Sequence, residues 1–507
     1  MTEAKTLAEL MARGEAHAPA LRAPNREALT FEGLRAQVTE TLGVLNAAGI
    51  GRGDRIAIVL PNGPEMASAF LAVAAGATAA PLNPAYRAKE FEFYLSDLGA
   101  KAVIVMAGDE SPVVDAARKL NIPCIPLAPE EAGPAGAFSL ALPATSAASA
   151  GGLSQAGDTA LILHTSGTTS RPKIVPLSHA NVCASARNIS AWLDLQPRDT
   201  CLNVMPLFHI HGLIAAVLSS LFAGANVACS PGFNALKFFS WVDEIKPTWY
   251  TAVPTMHQAI LARAGRNREI LARNPLRLIR SSSASLPAPV MAELEEVFAA
   301  PVIESYGMTE AAHQMASNPL PPRRRRAGCV GIAAGPEVAI MNLEGQLLEP
   351  GAIGEIVIRG DNVTAGYEDN EKANAEGFTD GWFRTGDQGV LDGEGYLTLT
   401  GRLKEIINRG GEKISPREVD DVLMAHPAVA QAVVFAMPHD KLGEDVAAAI
   451  VLREGREASD RDIRNFAAER LAAFKVPRKI VLLDEIPKGA TGKLQRIGLA
   501  KKLGLVE

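Results

Sequence analysis

Residues 161–182 read LILHTSGTTSRPKIVPLSHANV: an apolar run, a stretch of Ser, Thr and Gly, Lys173 behind an Arg-Pro pair, and Ser178 ahead of a polar segment. The apolar run predicts the end of a buried strand, and Ser178-His-Ala-Asn predicts the start of a helix running through Trp192. A strand-loop-helix junction of this composition offers backbone N–H groups and hydroxyls without bulk, which suits phosphate oxygens, and Lys173 adds a point charge. The P-loop spacing does not fit. It needs Gly directly before the Lys and a hydroxyl directly after it, whereas Pro172 and Ile174 stand there. Ile174 is β-branched and disfavours positive φ, so the backbone after Lys173 is predicted to be extended. On the loop alone, a polar surface turn is the competing reading.

Working outward, 507 residues exceed one ordinary core, so at least two domains are expected. The 50 basic against 56 acidic side chains leave a net charge of -6, which gives no overall field for nucleic acid or for an anionic membrane. The one basic run, Arg323 to Arg326, reads as a solvated loop. The 5 cysteines lie far apart without a C-x-x-C pair, so neither a zinc site nor a disulfide framework is indicated. The first residues lack the apolar core of a signal peptide, and the last, GLVE, are not a peroxisomal signal; a cytoplasmic location is the expectation. The longest apolar stretches, MASAFLAVAAGATAAPL and GLIAAVLSSLFAGANVA, are interrupted by Ser, Gly and Thr, and read as buried helices leading into strands.

From about residue 30 to 127 helical patterns alternate with strands such as RIAIVL and AVIVM, the signature of an α/β layer. Residues 128–157, rich in Ala, Gly, Pro and Ser, read as a loose connection. Alternation then resumes, with CLNVMP, ANVACS, TWYTAVP, LRLIRSS and PVIESYG as strands, and ALKFFSWVDEIK and APVMAELEEVF as helices. Short strands with Gly-rich turns between 328 and 400 predict a small β-rich unit. Ser415-Pro-Arg-Glu418 is a capping box with Pro at the first helical position, and it opens an α+β unit of about a hundred residues that includes a helix from Asp460 to Ala472. The hinge is expected near 401–405.

Four further stretches accompany the opening loop: ESYGMTE (304–310), WFRTGD (382–387), GRLKEIINRGGEKI (401–414) and PKGATGKLQR (487–496). As a set and in this order they resemble the adenylate-forming superfamily of acyl-CoA synthetases, luciferases and peptide-synthetase adenylation domains, over essentially the whole chain. The resemblance implies an α/β fold: a large multi-layer N-terminal domain, 1–401, with α/β subdomains and the small β-rich one, and a mobile α+β C-terminal domain, 402–507. It also implies two half-reactions. A carboxylate cannot be attacked by a thiol with oxide as leaving group, so the acid first displaces pyrophosphate from ATP to form an acyl-AMP, and the thiol of CoA then releases AMP. No protein nucleophile is needed; positioning and charge neutralisation carry the work.

By the same resemblance, Thr165, Ser166, Gly167, Thr168, Thr169 and Lys173 cradle the β- and γ-phosphates of ATP. Tyr306, Gly307 and Thr309 belong to the adenine and α-phosphate segment, and Glu310 is the ligand of Mg2+, since a cation bridging phosphates needs only one or two protein carboxylates. Asp387 matches the residue that accepts from the ribose hydroxyls, Arg402 its partner at the domain junction, and Lys493 the catalytic lysine of adenylation. Lys404 matches the pivot, about which Gly410 and Gly411 are brought beside the pantetheine path. Ser170 and Ile174 stand where the family commonly has Gly, which leaves the behaviour of the phosphate loop open.

Within the superfamily, LHTSGTTSRPK, MPLFHIHGL, SSSASL, GMTEAAHQMASNPLP and NRGGEKISPREVD look like those of oxalyl-CoA synthetases. The segments expected to line the acid pocket carry His209, His211, Ser281, Ser282, Ser283, Ser285 and His313, and few of these suit a fatty chain. A buried second carboxylate without donors costs several kcal/mol, whereas each charge-assisted hydrogen bond contributes roughly 1.5–3 kcal/mol, so a polar lining favours a small diacid. Competing readings stay open: His209 as a gate of the pantetheine tunnel, His211 as the opening residue of a helix, the serines as partners of nearby backbone, His164 as a support of the loop. Malonate, an aryl acid or a medium-chain acid are the alternative substrates, and a non-catalytic nucleotide-binding relative is the alternative class. No carrier-protein domain follows Glu507, so free CoA is the expected acceptor.

Overall fold

Parallel strands joined through helices need both sheet faces covered, and the chain meets that demand by stacking two such sheets about shared helices. The computed structural model describes residues 4–144, 148–165, 172–487 and 495–506. Among these, one seven-stranded sheet runs in the order Phe138–Leu140, Cys124–Pro129, Ala102–Met106, Arg55–Val59, Thr78–Pro81, Thr159–Thr165, Lys173–Ser178. A nine-stranded sheet has Val302–Met308, Leu278–Ser281, Trp249–Ala252, Thr200–Asn203 and Asn226–Cys229 side by side and parallel.

Side-chain alternation assigns the layers. Leu278 packs into a core shared by both sheets, and its neighbour Ile279 into a second core on the outer face of the larger sheet. Helices Phe31–Ala47, Pro64–Ala74 and His179–Trp192 contribute to the shared core; Phe238–Ile245, Pro254–Ala264 and Ala288–Phe298 cover the outer face of the nine-stranded sheet, and Ala88–Leu98 and Pro112–Lys119 that of the seven-stranded one. The run MASAFLAVA suits the middle layer, since every residue from Met66 to Ala74 is buried and its alanines permit close approach to both sheets. Burial of each Leu, Ile or Phe in these layers contributes about 1.5–3 kcal/mol.

The loop that opened the sequence reading differs from expectation on its far side. Lys173–Ser178 is a strand, antiparallel to Thr159–Thr165 with Thr165 opposite Lys173, and the helix begins only at His179. The helix entry expected at Ser178 is present, and the stretch before it, read as loop, pairs instead as a β-hairpin: Ile174, Val175 and Leu177 bury themselves against both faces of the sheet. The extended backbone expected at Ile174 is present, and Ser178 caps the helix by accepting the Asn181 N–H at 3.1 Å. Residues 128–157 also hold a strand, Phe138–Leu140, anchored by the buried Phe138. The helix expected to end at Ala472 is Asp460–Ala468, after which Leu471 turns back onto the core.

The small β-rich unit is a five-stranded sheet of Glu337–Met341, Ile353–Arg359, Phe378–Thr379, Trp382–Leu391 and Leu397–Arg402. Its last strand places Arg402 opposite Asp387. After residues 403–406 a new sheet starts with the hairpin Ile407–Arg409 and Glu412–Ile414, turned by Gly410 and Gly411 at φ 61° and 98°, where other residues would be strained. Val429–His439, Gly443–Leu452 and Lys479–Leu482 complete it, with Val434 facing helices Pro416–Met424 and Asp460–Ala468, and Val433 facing Leu499–Lys502. The arginine run is a loop whose first half, Arg323 and Arg324, is exposed as expected, whereas Arg325 pairs with Glu295 at 2.8 Å and Arg326 with Asp392 and Glu394. Among the described residues the cysteines are free, and no helix is long and apolar enough to cross a membrane.

Candidate functional site

The carboxyl ends of parallel strands are where open α/β sheets bind ligands, and here Asn203, Thr251, Ser281 and Tyr306 converge at such an edge. One segment threads the whole region. The strand Val302–Met308, the single 3-10 turn Thr309–Ala311 and the antiparallel strand His313–Ser317 touch three clusters in succession.

In the first cluster, Tyr306 donates its hydroxyl to Asp387 Oδ2 at 2.5 Å, and Arg402 Nε donates to Asp387 Oδ1 at 2.8 Å. Asp387 and Tyr306 are buried, and Arg402 is partly exposed. The Asp387 carboxylate holds Arg402 well above the usual guanidinium range; burial, with Asp387 beside it, pushes Tyr306 up. Glu355 orients the turn ahead of Asp387: it accepts the Gly386 N–H at 2.9 Å and Arg384 Nε at 2.8 Å. The result is a fixed acceptor with a cation at its side.

The second cluster joins Glu310, Tyr367 and Lys173. Tyr367 donates to Glu310 Oε1 at 2.8 Å, and Lys173 Nζ lies 4.2 Å over the Tyr367 ring. Burial raises Glu310, while Tyr367 and Lys173 oppose that rise; burial lowers Lys173, and the nearby Lys404 adds to that lowering. The turn before Tyr367 ties this cluster to the hairpin, because Thr364 N–H donates to Glu310 O at 2.7 Å and its hydroxyl to Pro176 O at 2.8 Å. Among the described residues no group of three or more His, Cys, Asp or Glu side chains could hold a metal ion. A single buried carboxylate, Glu310, with Lys173 nearby, is a donor set that fits Mg2+, which needs only one or two protein carboxylates.

The third cluster is polar and deeply buried. His211 opens a π-helix, His211–Leu218; its Nδ1 lies 3.0 Å from Ser283 Oγ and its Nε2 2.6 Å from Thr251 Oγ1. The His211 and His313 rings meet edge to face with centroids 5.0 Å apart. Ser283 and His313 both hold positive φ, 71° and 103°, a strain of about 1–3 kcal/mol each that concentrates at functional sites. Gly307 makes the second possible, since a Cβ there would lie 1.7 Å from His313 O. Beneath this pair lies Arg280, fully buried, with Nη2 donating to Gln314 Oε1 at 3.2 Å and Nη1 3.5 Å from His211 Nε2. Burial lowers Arg280 to about 9, so it stays cationic at neutral pH.

Of the residues expected to contact the acid, His211, Ser283 and His313 come together. Ser282 instead donates to Ser305 O at 2.9 Å within the sheet, and His209 accepts the His211 N–H at 3.2 Å. Ser281 is buried and Ser285 exposed. His164 lies 3.1 Å from Asp97, in the supporting place expected of it. Thr165 pairs with Lys173 at the mouth of the hairpin, and Thr309 opens its turn half-buried. Lys404 is exposed, as are Gly410 and Gly411 at their hairpin tip. Ser166, Gly167, Thr168, Thr169, Ser170 and Lys493 lie outside the described residues. Tyr367 and Arg280 were missed by sequence reasoning. The signal for Arg280 was a cation between Ile279 and Ser281 in the strand Leu278–Ser281; Tyr367 carried none.

Against known proteins, residues 9–368 match the family described as AMP-binding enzyme and residues 418–493 the AMP-binding enzyme C-terminal domain. A protein named oxalate–CoA ligase from Arabidopsis thaliana is 48% identical over 458 residues, covering 89% of this chain and 89% of that protein. An oxalate–CoA ligase from Saccharomyces cerevisiae is 42% identical over 478 residues, covering 89% and 87%. The solved O-succinylbenzoate coenzyme A synthetase of Bacillus subtilis in complex with ATP and magnesium ion superposes with a TM-score of 0.82 at 31% identity, over 97% of this chain and 99% of that one.

Proposed function

The chain belongs to the AMP-binding enzyme family, and from that premise we propose an ATP-dependent, AMP-forming acid:CoA ligase whose acid is oxalate. The observation that carries this reading is the single segment 302–317, which supplies Tyr306 to the Asp387 cluster, Glu310 to the Lys173 cluster and His313 to the polar pocket. A nucleotide, a cation on its phosphates and a small acid would thereby be held in one line.

In the first half-reaction an oxalate oxygen attacks the α-phosphorus, the new O–P bond forms, and the bond to pyrophosphate breaks. Asp387 accepts from the ribose hydroxyls, while Thr165, Lys173 and the loop residues 166–169 hold the β- and γ-phosphates. Thr309 contacts the α-phosphate. Glu310 would hold Mg2+, which when bound would supply charge neutralisation at the phosphates. Lys493 is assigned to the oxygens of the acid and the α-phosphate. His313 and Ser283 give the second carboxylate donors in place of water, His211 serves the acid through Ser283, and Ser282 supports Ser283 from the sheet. In the second half-reaction the CoA sulfur attacks the oxalyl carbonyl, the C–S bond forms, the thiol proton is lost, and AMP leaves. A cavity of about 480 Å3, lined by Asn83, Tyr86, Phe208, Phe233 and Met256, is proposed as the pantetheine path, with His209 next along the chain from Phe208.

The division at 401/402 starts the mobile domain at Arg402, with Lys404 as pivot and Gly410–Gly411 brought to the pantetheine path in the second step. A cytoplasmic setting with free CoA, and no carrier protein, nucleic acid or membrane as partner, completes the proposal. The test is an acid panel assayed for AMP release with CoA present. Oxalate is expected to exceed malonate, acetate, hexanoate and 4-coumarate in kcat/KM; a monoacid as the best substrate would overturn oxalate while leaving the ligase.

A further inference from the structure

Among the described residues, Arg280 differs from Lys173 and Arg402 in having no carboxylate beside it. Lys173 faces Glu310 and Arg402 faces Asp387, whereas Arg280 has Gln314 and His211 as its hydrogen-bond neighbours, and its Nε has no partner. It shares one face of the sheet with Thr251, which stands opposite it on the adjoining strand, and His211 lies across both. A fold that buries an uncompensated cation sacrifices several kcal/mol, and a hydrophobic residue would pack the same space without that cost. An anion bound within reach of this network would offset that cost.

Resting on the diacid reading above, we propose that Arg280 is the positioning residue that makes the pocket selective for a second carboxylate, acting through His211. An arginine only donates, so the His211 Nε2 that faces it is an acceptor, and His211 is the neutral tautomer carrying its proton on Nδ1. That proton is donated to Ser283 Oγ at 3.0 Å. The Ser283 hydroxyl, having accepted, has its own proton left to give, and Ser283 is half-exposed where Arg280 and His211 are buried. Donors thus point one way, from Arg280 through His211 and Ser283 toward the pocket, and the buried charge polarises the series in favour of an anion. Gln314, fixed by donating to Ala334 O at 3.0 Å, holds the guanidinium in place.

The test compares oxalate with oxamate, its equal in size with the second carboxylate replaced by a neutral amide, in the full-length protein. Arg280→Met is expected to lower kcat/KM for oxalate by about 100-fold, mainly through KM, the size of one charge-assisted interaction lost in a buried site. Activity with oxamate and the Kd for ATP should stay within about threefold, and Arg280→Lys should restore most of the oxalate preference. Should Arg280→Met not fold, Arg280→Gln gives the same reading. An equal loss for both acids, or a lysine variant no better than the methionine one, overturns the proposal and leaves Arg280 as a packing residue. Wild-type preference for another diacid overturns the oxalate reading alone, and the ratio is then read with that diacid and its monoamide. Wild-type preference for a monoacid overturns both.

Discussion

Replacing Asp387 by Asn isolates the charge at the centre of the nucleotide cluster, because the two side chains have the same shape. In the folded protein both carboxylate oxygens are engaged, Oδ2 by the Tyr306 hydroxyl at 2.5 Å and Oδ1 by Arg402 Nε at 2.8 Å. Each oxygen keeps a lone pair for a ribose hydroxyl, so the bound state would hold four hydrogen bonds on one carboxylate. Asn keeps one acceptor oxygen, without charge, and puts an NH2 in place of the other, so the bonds that oxygen accepts are lost. Hydrogen bonds to a charged group contribute roughly 1.5–3 kcal/mol and neutral ones about 1 kcal/mol. One ribose bond weakened and one lost therefore amount to about 2–4 kcal/mol, or roughly 30- to 1,000-fold in the Kd for ATP. The stability loss is smaller than breaking a fully buried pair, because Arg402 is partly exposed and can turn to water; about 1–2 kcal/mol is expected. Titration calorimetry with ATP, beside a thermal unfolding curve, separates the two effects. An Asp387→Asn protein that folds and binds ATP within threefold of wild type would refute the ribose assignment.

Gly307→Ala would drive a methyl into the His313 carbonyl, a backbone atom that cannot swing aside, so acid-dependent pyrophosphate exchange should fall at least about tenfold at a stability cost of about 1–3 kcal/mol; near wild-type exchange would show that the His313 geometry is dispensable. Glu304, buried on the same segment, is pushed from 4.5 up to about 7 by loss of solvent. The folded chain therefore keeps a proton that the unfolded chain releases near 4.5, and the stability contribution of this group falls as pH rises from there to about 7. Glu304→Gln keeps an acceptor for the Leu286 N–H and cannot ionise, so its Tm should gain on wild type across that window, by up to about 3 kcal/mol of stability; a constant Tm difference from pH 5 to 8 would count against it.

Local rules were legible in the sequence because they act over three or four residues. Ser178 and Ser415 cap their helices as their spacing predicts, accepting N–H groups three residues on, and Ile174 is extended as β-branching requires. Motif order was enough to bring Glu310, Asp387, Arg402 and Lys173 forward as a nucleotide site. What followed the loop was harder to read, since Ser178 announces a helix whether or not a strand precedes it, and only pairing with Thr159–Thr165 decides. Contacts between distant residues were out of reach. Tyr367 meets Glu310 57 residues away, and Arg280 meets His211 and Gln314 across 69 and 34. Parity along LRLIRS places Arg280 on the face of Leu278, but which face looks toward His211 depends on the register with the Thr251 strand and on the layer of helices between the two sheets. The sequence by itself determined the element types, the caps and the inventory of chemical groups, because each depends on neighbours along the chain. Tertiary structure alone decided that a cation without a counter-charge lies beneath two histidines, because only the stacking of sheets brings those side chains together and takes water away from them.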